Sequence, residues 1–220
     1  IYFCCTLNDG NAAGGERYHW SEQLPGAQIY QYDPATGKTI AYANLPARRC
    51  TATSLFDAKR NVWWCNLEAG QGNALYGIDL KTKEILYQGA DGQVAFNRNF
   101  ALANDGSLYF NGLDGAVMKL DATTKKVTST GMSFPNSPGM RASTAETKTG
   151  DIYGCTYSTN QLFRMNPTKG ELELLGPSWG KGEYTTVMTL SPDERFIYYL
   201  PGSHGQAFTY GTPVIQYEIA

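Results

Sequence analysis

GSLYFNGLDGAVMKLDATTKKV, residues Gly106–Val127, reads as strand, turn, strand, turn, strand. Ser107–Asn111 is the first strand, followed by Gly112, and Asp114-Gly115 supplies the residues of a tight hairpin turn. Ala116–Leu120 forms the second strand. Asp121-Ala-Thr-Thr124 turns the chain, and a third strand starts at Lys126.

The same phrase recurs along the chain. An aromatic doublet in the first of these strands appears at Tyr2-Phe3, Trp63-Trp64, Tyr109-Phe110 and Tyr198-Tyr199, with Tyr153-Gly154 as its fourth occurrence. The last four copies fall 46, 44 and 45 residues apart, and the first interval is 61. A second phrase, apolar-x-apolar followed by a polar turn residue, appears as Tyr30–Asp33, Tyr76–Asp79, Met118–Asp121, Phe163–Asn166 and Ile215–Glu218. Both markers keep one order and nearly one period. A period in the forties built from short strands and turns predicts the four-stranded blades of a β-propeller, with an unrelated all-β sandwich as the alternative. Radial stacking buries both apolar faces of each small sheet and leaves only short edges.

The segments Ala103–Phe110 (ANDGSLYF), Leu190–Tyr199 (LSPDERFIYY) and Leu75–Glu84 (LYGIDLKTKE) resemble those of SMP-30/gluconolactonase, lactonase and NHL-like propellers. The resemblance spans nearly the whole chain and concerns blade construction. It implies a propeller fold and, for gluconolactonase-like members, a metal on the axis held by Glu, Asn and Asp side chains. Here Glu146, Asn97, Asn99 and Glu183 lie near inner strands, but their spacing does not reproduce that ligand set.

Labelling strands A (inner) to D (outer), the first blade supplies B (Ile1–Leu7), C (Gln28–Tyr32) and D (Thr39–Asn44). The next three run A to D: Cys50–Leu55, Asn61–Asn66, Ala74–Ile78, Glu84–Gln88; then Asn99–Ala103, Ser107–Asn111, Ala116–Leu120, Lys126–Thr130; then Arg141–Glu146, Asp151–Thr156, Gln161–Met165, Glu171–Leu175. The fifth has A (Tyr184–Leu190), B (Arg195–Leu200) and C (Val214–Ile219). The first blade therefore lacks its inner strand and the last its outer one. The expectation is one propeller domain over residues 1–220, with about five blades present from a ring of six to eight. The remaining strands would come from further sequence or another chain; a compact five-bladed ring is the alternative.

Composition agrees with one all-β domain: 220 residues, 42% hydrophobic, 24 glycines and 15 tyrosines. The net charge of −2 gives no electrostatic case for a nucleic-acid partner or an anionic membrane. No apolar run approaches a membrane span, and no signal peptide is visible. Low charge and abundant Tyr, Gly and Asn lean towards an extracytoplasmic (secreted or periplasmic) protein.

The A–B and C–D links are short and built from Asn, Asp, Gly and Pro, so one face reads as structural. Two long B–C loops, Asn8–Ala27 and Pro201–Pro213, fall on the opposite face, and loops of that length inside compact repeats carry function or are disordered. They hold the chain's two histidines, His19 and His204, as candidate general bases or metal ligands; solvent-exposed loop histidines are the alternative. Arg17, Tyr18 and Trp20 flank His19. Arg49, Arg98 and Arg141 sit at the starts of successive inner strands, with Tyr184 at that point in the fifth blade, behind Lys181 and Glu183. Guanidiniums around one opening suit a carboxylate or phosphate through bidentate charged donors, although an arginine bracing neighbouring blades fits the same pattern.

Cys4, Cys65 and Cys155 follow the doublets at one repeat position, which favours a buried small residue. Cys50 and Cys65 stand where an antiparallel A–B pair makes a disulfide geometrically possible, and five cysteines leave at least one thiol without an internal partner. No P-loop, Rossmann glycine pattern, zincin helix or nucleophile elbow is present. Two functions remain in view. One is a binding or scaffold propeller for a protein, peptide or anionic saccharide. The other is a propeller lyase, hydrolase or lactonase acting on an anionic sugar, for which a divalent metal is the cofactor to consider.

Overall fold

A computed structural model of the protein describes residues 1–5, 28–45, 50–69, 72–89, 99–136, 139–179, 185–201 and 213–219. Among them lie eighteen strands: β1 (Tyr2–Cys5), β2 (Gln28–Asp33), β3 (Lys38–Asn44), β4 (Cys50–Asp57), β5 (Val62–Ala69), β6 (Gly72–Asp79), β7 (Ile85–Gly89), β8 (Phe100–Leu102), β9 (Leu108–Asn111), β10 (Ala116–Leu120), β11 (Val127–Ser133), β12 (Met140–Ser143), β13 (Ile152–Thr156), β14 (Gln161–Asn166), β15 (Glu171–Pro177), β16 (Thr185–Leu190), β17 (Phe196–Pro201) and β18 (Ile215–Glu218). The one helical turn among the described residues, Leu113–Gly115, belongs to a hairpin. Asp114 (φ 53°) and Gly115 (φ 78°) are both left-handed, and the Ala116 N–H returns to the Leu113 carbonyl. That is the turn the Asp-Gly pair predicts.

The strands form five antiparallel meanders. Three have four strands (β4–β7, β8–β11, β12–β15), and two have three among the described residues (β1–β3, β16–β18). These are the predicted blades in the predicted order. The chain divides into two compact units, Ile1–Gly92 and Gln93–Ala220. In the first unit a core of Ile29, Leu45, Trp63, Cys65, Tyr76, Ile78 and Leu80 joins the β1–β3 and β4–β7 sheets. Tyr2 packs on it, edge-on to Tyr42 at 5.2 Å between ring centroids. In the second unit one core runs from Ala101, Tyr109 and Val117 to Phe163 and Met165, with Phe134 edge-on to Phe163 at 4.8 Å. Another joins Tyr153, Cys155 and Leu162 to Met188, Ile197 and Tyr199. Each sheet thus buries an apolar face against its neighbour in sequence within its unit, as the alternating pattern requires.

The doublet's second residue meets a fixed partner on the next strand: Phe3 faces Tyr30, Phe110 faces Met118 and Tyr199 faces Ile215, while in the other two blades the sizes compensate. Trp64 faces Gly77, and a Cβ on Gly77 would stand 2.5 Å from the indole. The blade of β12–β15 reverses this: Gly154 faces Phe163, and a Cβ there would meet the ring at 2.3 Å and the Ala142 carbonyl oxygen at 2.5 Å. That explains why the fourth doublet is Tyr-Gly.

Register corrects one reading. β5 runs past Asn66 to Ala69, so Cys50 pairs with Glu68 while Cys65 pairs with Ser54. A Cys50–Cys65 bridge would need two cysteines that face each other, and these do not. Cys65 and Cys155 are fully buried thiols, which agrees with a small buried residue after the doublet; the side chains of Cys4, Cys5 and Cys50 lie outside the described ones.

The short turns are locked by their own side chains. Asp33, Asp79 and Asp121 each accept bonds from backbone N–H groups two and three residues on or from a nearby threonine hydroxyl, and Asn166 accepts from Lys169 N–H. Three bonds to Asp121, from the Thr124 N–H, the Thr124 hydroxyl and the Thr123 N–H, hold its carboxyl down at about 2, helped by Lys119. In the second unit a further device links successive blades. The Glu146 carboxylate accepts the Asn104 N–H (2.6 Å), and the Glu194 carboxylate accepts the Lys148 N–H (2.9 Å). Asn104 and Lys148 open equivalent A–B turns, so each acid reaches back to the preceding blade.

Candidate functional site

The inner strands of the second unit start at the end away from these acidic staples, and there the chain builds its most constrained polar feature. Asn111, the last residue of β9, is 3% exposed. Its carboxamide grips the backbone of Met140 from both sides: Nδ2 donates to the Met140 carbonyl (2.8 Å) and Oδ1 accepts the Met140 N–H (2.7 Å). Such a closed pair satisfies groups that would otherwise be buried without partners. Gly139 makes room for it. Its φ is +124°, and a Cβ there would stand 2.2 Å from Asn111 Oδ1, so both conformation and space demand glycine. The Gly139 carbonyl accepts the Tyr157 N–H at 2.8 Å.

The next residue is Arg141. β12 pairs Met140 with Thr156 and Ala142 with the adjacent Cys155, so Arg141 is the extra residue of a β-bulge. A bulge at a strand end re-aims a side chain out of the regular alternation. Arg141 is half-buried, between buried Met140 and buried Ala142. One residue further, Ser143 Oγ accepts a bond from Asn99 Nδ2 at 2.6 Å, tying the start of β8 to β12.

A second polar set supports β13 and β17. Ser178 Oγ donates to Asn160 Oδ1 (2.7 Å), the Ser178 N–H donates to the Asn160 carbonyl (3.0 Å), and Tyr199 Oη donates to the Ser178 carbonyl (2.7 Å). Burial pushes the Tyr199 phenol up to about 12, helped by Cys155 and Tyr217. Burial likewise raises the Cys155 thiol, against the hydroxyls of Thr185 and Ser178. A thiol so held is a packing group, since reactivity needs the thiolate and access.

Of the residues singled out from the sequence, Arg141, Asn99 and Glu146 are described. Arg17, Tyr18, His19, Trp20, Arg49, Asn97, Arg98, Lys181, Glu183, Tyr184 and His204 lie outside the described residues. Asn99 meets β12 two residues from Arg141, whereas Glu146 is spent on the Asn104 turn. Counting by register refines the arginine series. The partners of the doublets' second residues are Leu55, Phe100, Ser143 and Met188. Two positions earlier stand Thr53, Arg98, Arg141 and Thr186. By that count Arg98 matches Arg141 in the sequence, whereas in β4 Thr53 pairs with Asn66 and the bulge falls at Ala52. β16 carries its own bulge between Thr185 and Val187, so Thr186 occupies the same bulge position as Arg141. Among the described residues no group of three or more His, Cys, Asp or Glu side chains is placed to hold a metal ion.

The clamp itself escaped the sequence reading, because an Asn-Gly pair after a strand reads as turn chemistry. Its available signal was Asn111 standing where other blades carry Cys65 and Cys155.

No known protein family matches the chain, and no curated protein matches it in sequence. Solved structures do resemble it. A protein described as a 6-phosphogluconolactonase from Bacteroides uniformis aligns with a TM-score of 0.64 at 15% identity, over 90% of this chain and 61% of that one. The Cps50 (Swd1) β-propeller domain of Myceliophteria thermophila gives 0.60 at 15%, over 88% and 64%. The Dos1 propeller gives 0.62 at 9%, over 87% and 47%. The chain thus spans less than two thirds of each. Likeness at this identity establishes fold: the chain is built as a β-propeller of four-stranded blades.

Proposed function

We propose that the chain is a binding or scaffold propeller that holds an anionic group, carried by a saccharide, peptide or protein, at the start of its inner strands. The observation that carries this reading is the seat of Arg141. A buried carboxamide, an obligatory glycine and a bulge converge on its neighbours, so its backbone is ordered before any ligand arrives. Pre-ordering reduces the entropy lost on binding, and a guanidinium offers the bidentate donors that carboxylates and phosphates fit. In the same unit Arg98 and Tyr184 are the next residues to test as donors, and Arg49, Arg17, Tyr18 and Trp20, which belong to the first unit, are candidates to be tested on their own. His19 and His204 are the bases or metal ligands to consider should the bound sugar also be turned over.

The test is a thermal-shift titration with galacturonate, glucuronate and inorganic phosphate, with and without divalent metal ions. A ligand that binds only the folded state raises the melting temperature by mass action, by the equivalent of about 2.7 kcal/mol at a hundredfold excess over Kd. The wild type is expected to shift, Arg141→Lys to shift less, and Arg141→Ala not to shift while melting normally without ligand. If nothing shifts and Arg141→Ala merely melts earlier, the arginine braces the strands. Turnover that disappears in folded His204→Ala would make the chain an enzyme.

A further inference from the structure

The clamp on Met140 is built on the one Asn-Gly pair in the chain, Asn111-Gly112. Glycine leaves the peptide nitrogen that follows asparagine unshielded, so in an open chain it reaches the Asn Cγ more readily than any other residue's would. Both halves of this labile pair are nevertheless demanded by the fold. Asn111 ties the end of β9 to Met140 at the start of β12, in the next blade, through bonds of 2.8 and 2.7 Å. Gly112 lies against β10, where a Cβ would stand 2.7 Å from Met118 Cγ and 3.0 Å from its Sδ. No larger residue fits at 112 while Met118 stays where it is.

The fold also holds every atom that a reaction of this pair would use. The nucleophile is the Gly112 nitrogen, whose N–H donates to the Ala116 carbonyl at 2.8 Å. The leaving group is Asn111 Nδ2, which donates to the Met140 carbonyl, while Oδ1 accepts the Met140 N–H. Asn111 is paired with Val117 across the hairpin and is 3% exposed, so water and base are kept from it. Cyclisation therefore requires β9 to part from β10 and the clamp to open, an excursion of local unfolding.

We propose that Asn111 is a modification site that is closed in the folded protein and reacts only when the clamp opens. In the open chain the Gly112 nitrogen gives its proton to solvent base and bonds to Asn111 Cγ. The Cγ–Nδ2 bond breaks, and Nδ2 takes a proton from solvent and leaves as ammonia, so a succinimide remains. Water then opens the ring: addition at Cγ leaves aspartate, and addition at the main-chain carbonyl leaves isoaspartate. Aspartate sets a charged carboxylate oxygen against the Met140 carbonyl in a buried site, and isoaspartate lengthens the backbone at the end of β9. Neither product re-forms the clamp, so one opening is written into the covalent structure and closure is lost. Arg141 loses its seat with it, although this chemistry does not depend on the anion site proposed above.

The test incubates the full chain at mildly alkaline pH in native buffer and in rising urea, beside an acetylated, amidated peptide of residues 109–114, YFNGLD. Peptide mapping reads the amide-to-acid mass change at 111, and hydrogen exchange at the Met140 amide reads the opening of the clamp. The native chain should react roughly a hundredfold or more slowly than the peptide, the ratio set by a rarely open state. In urea the reaction and Met140 exchange should rise together. On dilution, the fraction that fails to regain Met140 protection should equal the fraction modified at 111, while chain held as long in mildly acidic urea refolds. Asn111→Asp, which carries the first product by mutation, should melt well below the wild type. If that variant does not fold at all, the refolding of the modified wild-type fraction decides the matter. A native rate equal to the peptide's overturns the proposal. So does a modified chain that refolds with the melting temperature of the unmodified one.

Discussion

Single residues set the tolerances of this fold. Gly154 lies under the Phe163 ring and beside the Ala142 carbonyl, so Gly154→Ala should destabilise the second unit by about 1–3 kcal/mol, as overpacking does. Combining it with Phe163→Ala should recover part of that loss, which a double-mutant cycle by urea unfolding would read. Asn111→Ala strands the Met140 N–H and carbonyl in a buried site, and each such orphan costs about 1–3 kcal/mol. Its melting temperature should fall further than that of Asn99→Ala, whose partner Ser143 is half-buried and can turn to water. The glycine after Tyr153 was visible in the sequence as an oddity among doublets, yet its reason was not. That reason is a ring contributed from the next strand, and only register identifies it.

At the level of elements, turn chemistry and period made most strands readable, since each is bounded by Asp, Asn, Gly or Pro. Where punctuation was absent the reading failed. Leu67-Glu-Ala69 continues β5 with no breaker at Asn66, and those residues carry Cys50 out of reach of Cys65. The two buried thiols should therefore stay silent to an aromatic disulfide reagent in native protein and react only on unfolding. Fast labelling of Cys65 or Cys155 would show that their sheets open locally. The acidic staples were equally hidden, because a glutamate in a turn says nothing of the blade before it. Glu194→Ala should lower stability by about 1 kcal/mol and hasten amide exchange at Lys148, the preceding turn. If exchange at Lys148 is unchanged, the bond is not held in solution.

For the molecule as a whole, the marked titrations lie at the extremes of pH. The Tyr109 phenol is pushed up to about 12 by burial and then by Asp105, Glu146 and Asp121, and Tyr199 reaches about 12 through burial first. Both phenols ionise near 10 in the unfolded chain, so their stabilisation is complete below pH 10 and is lost as pH rises through 12. Tyr199→Phe should flatten that alkaline decline, and a tyrosinate absorbance titration of the wild type should show a late-ionising class. Asp121 has the opposite sign: its contribution is present above about 4 and lost as pH falls through about 2. The propeller plan was legible because repetition multiplies a weak signal five times over. Of the arginine series only Arg141 lies among the described residues, and its bulge was not legible in the sequence because it exists only in the register of β12 against β13. The size exchange between Trp64–Gly77 and Gly154–Phe163 has a consequence for how such a chain can diversify. A crossover that joined β5 of one repeat to β14 of another would set tryptophan against phenylalanine in a slot built for one ring. The reciprocal product would set glycine against glycine and leave a hole. Recombination between these two blades can pass between hairpins but not within a B–C hairpin, so there the hairpin is the smallest unit that is inherited intact.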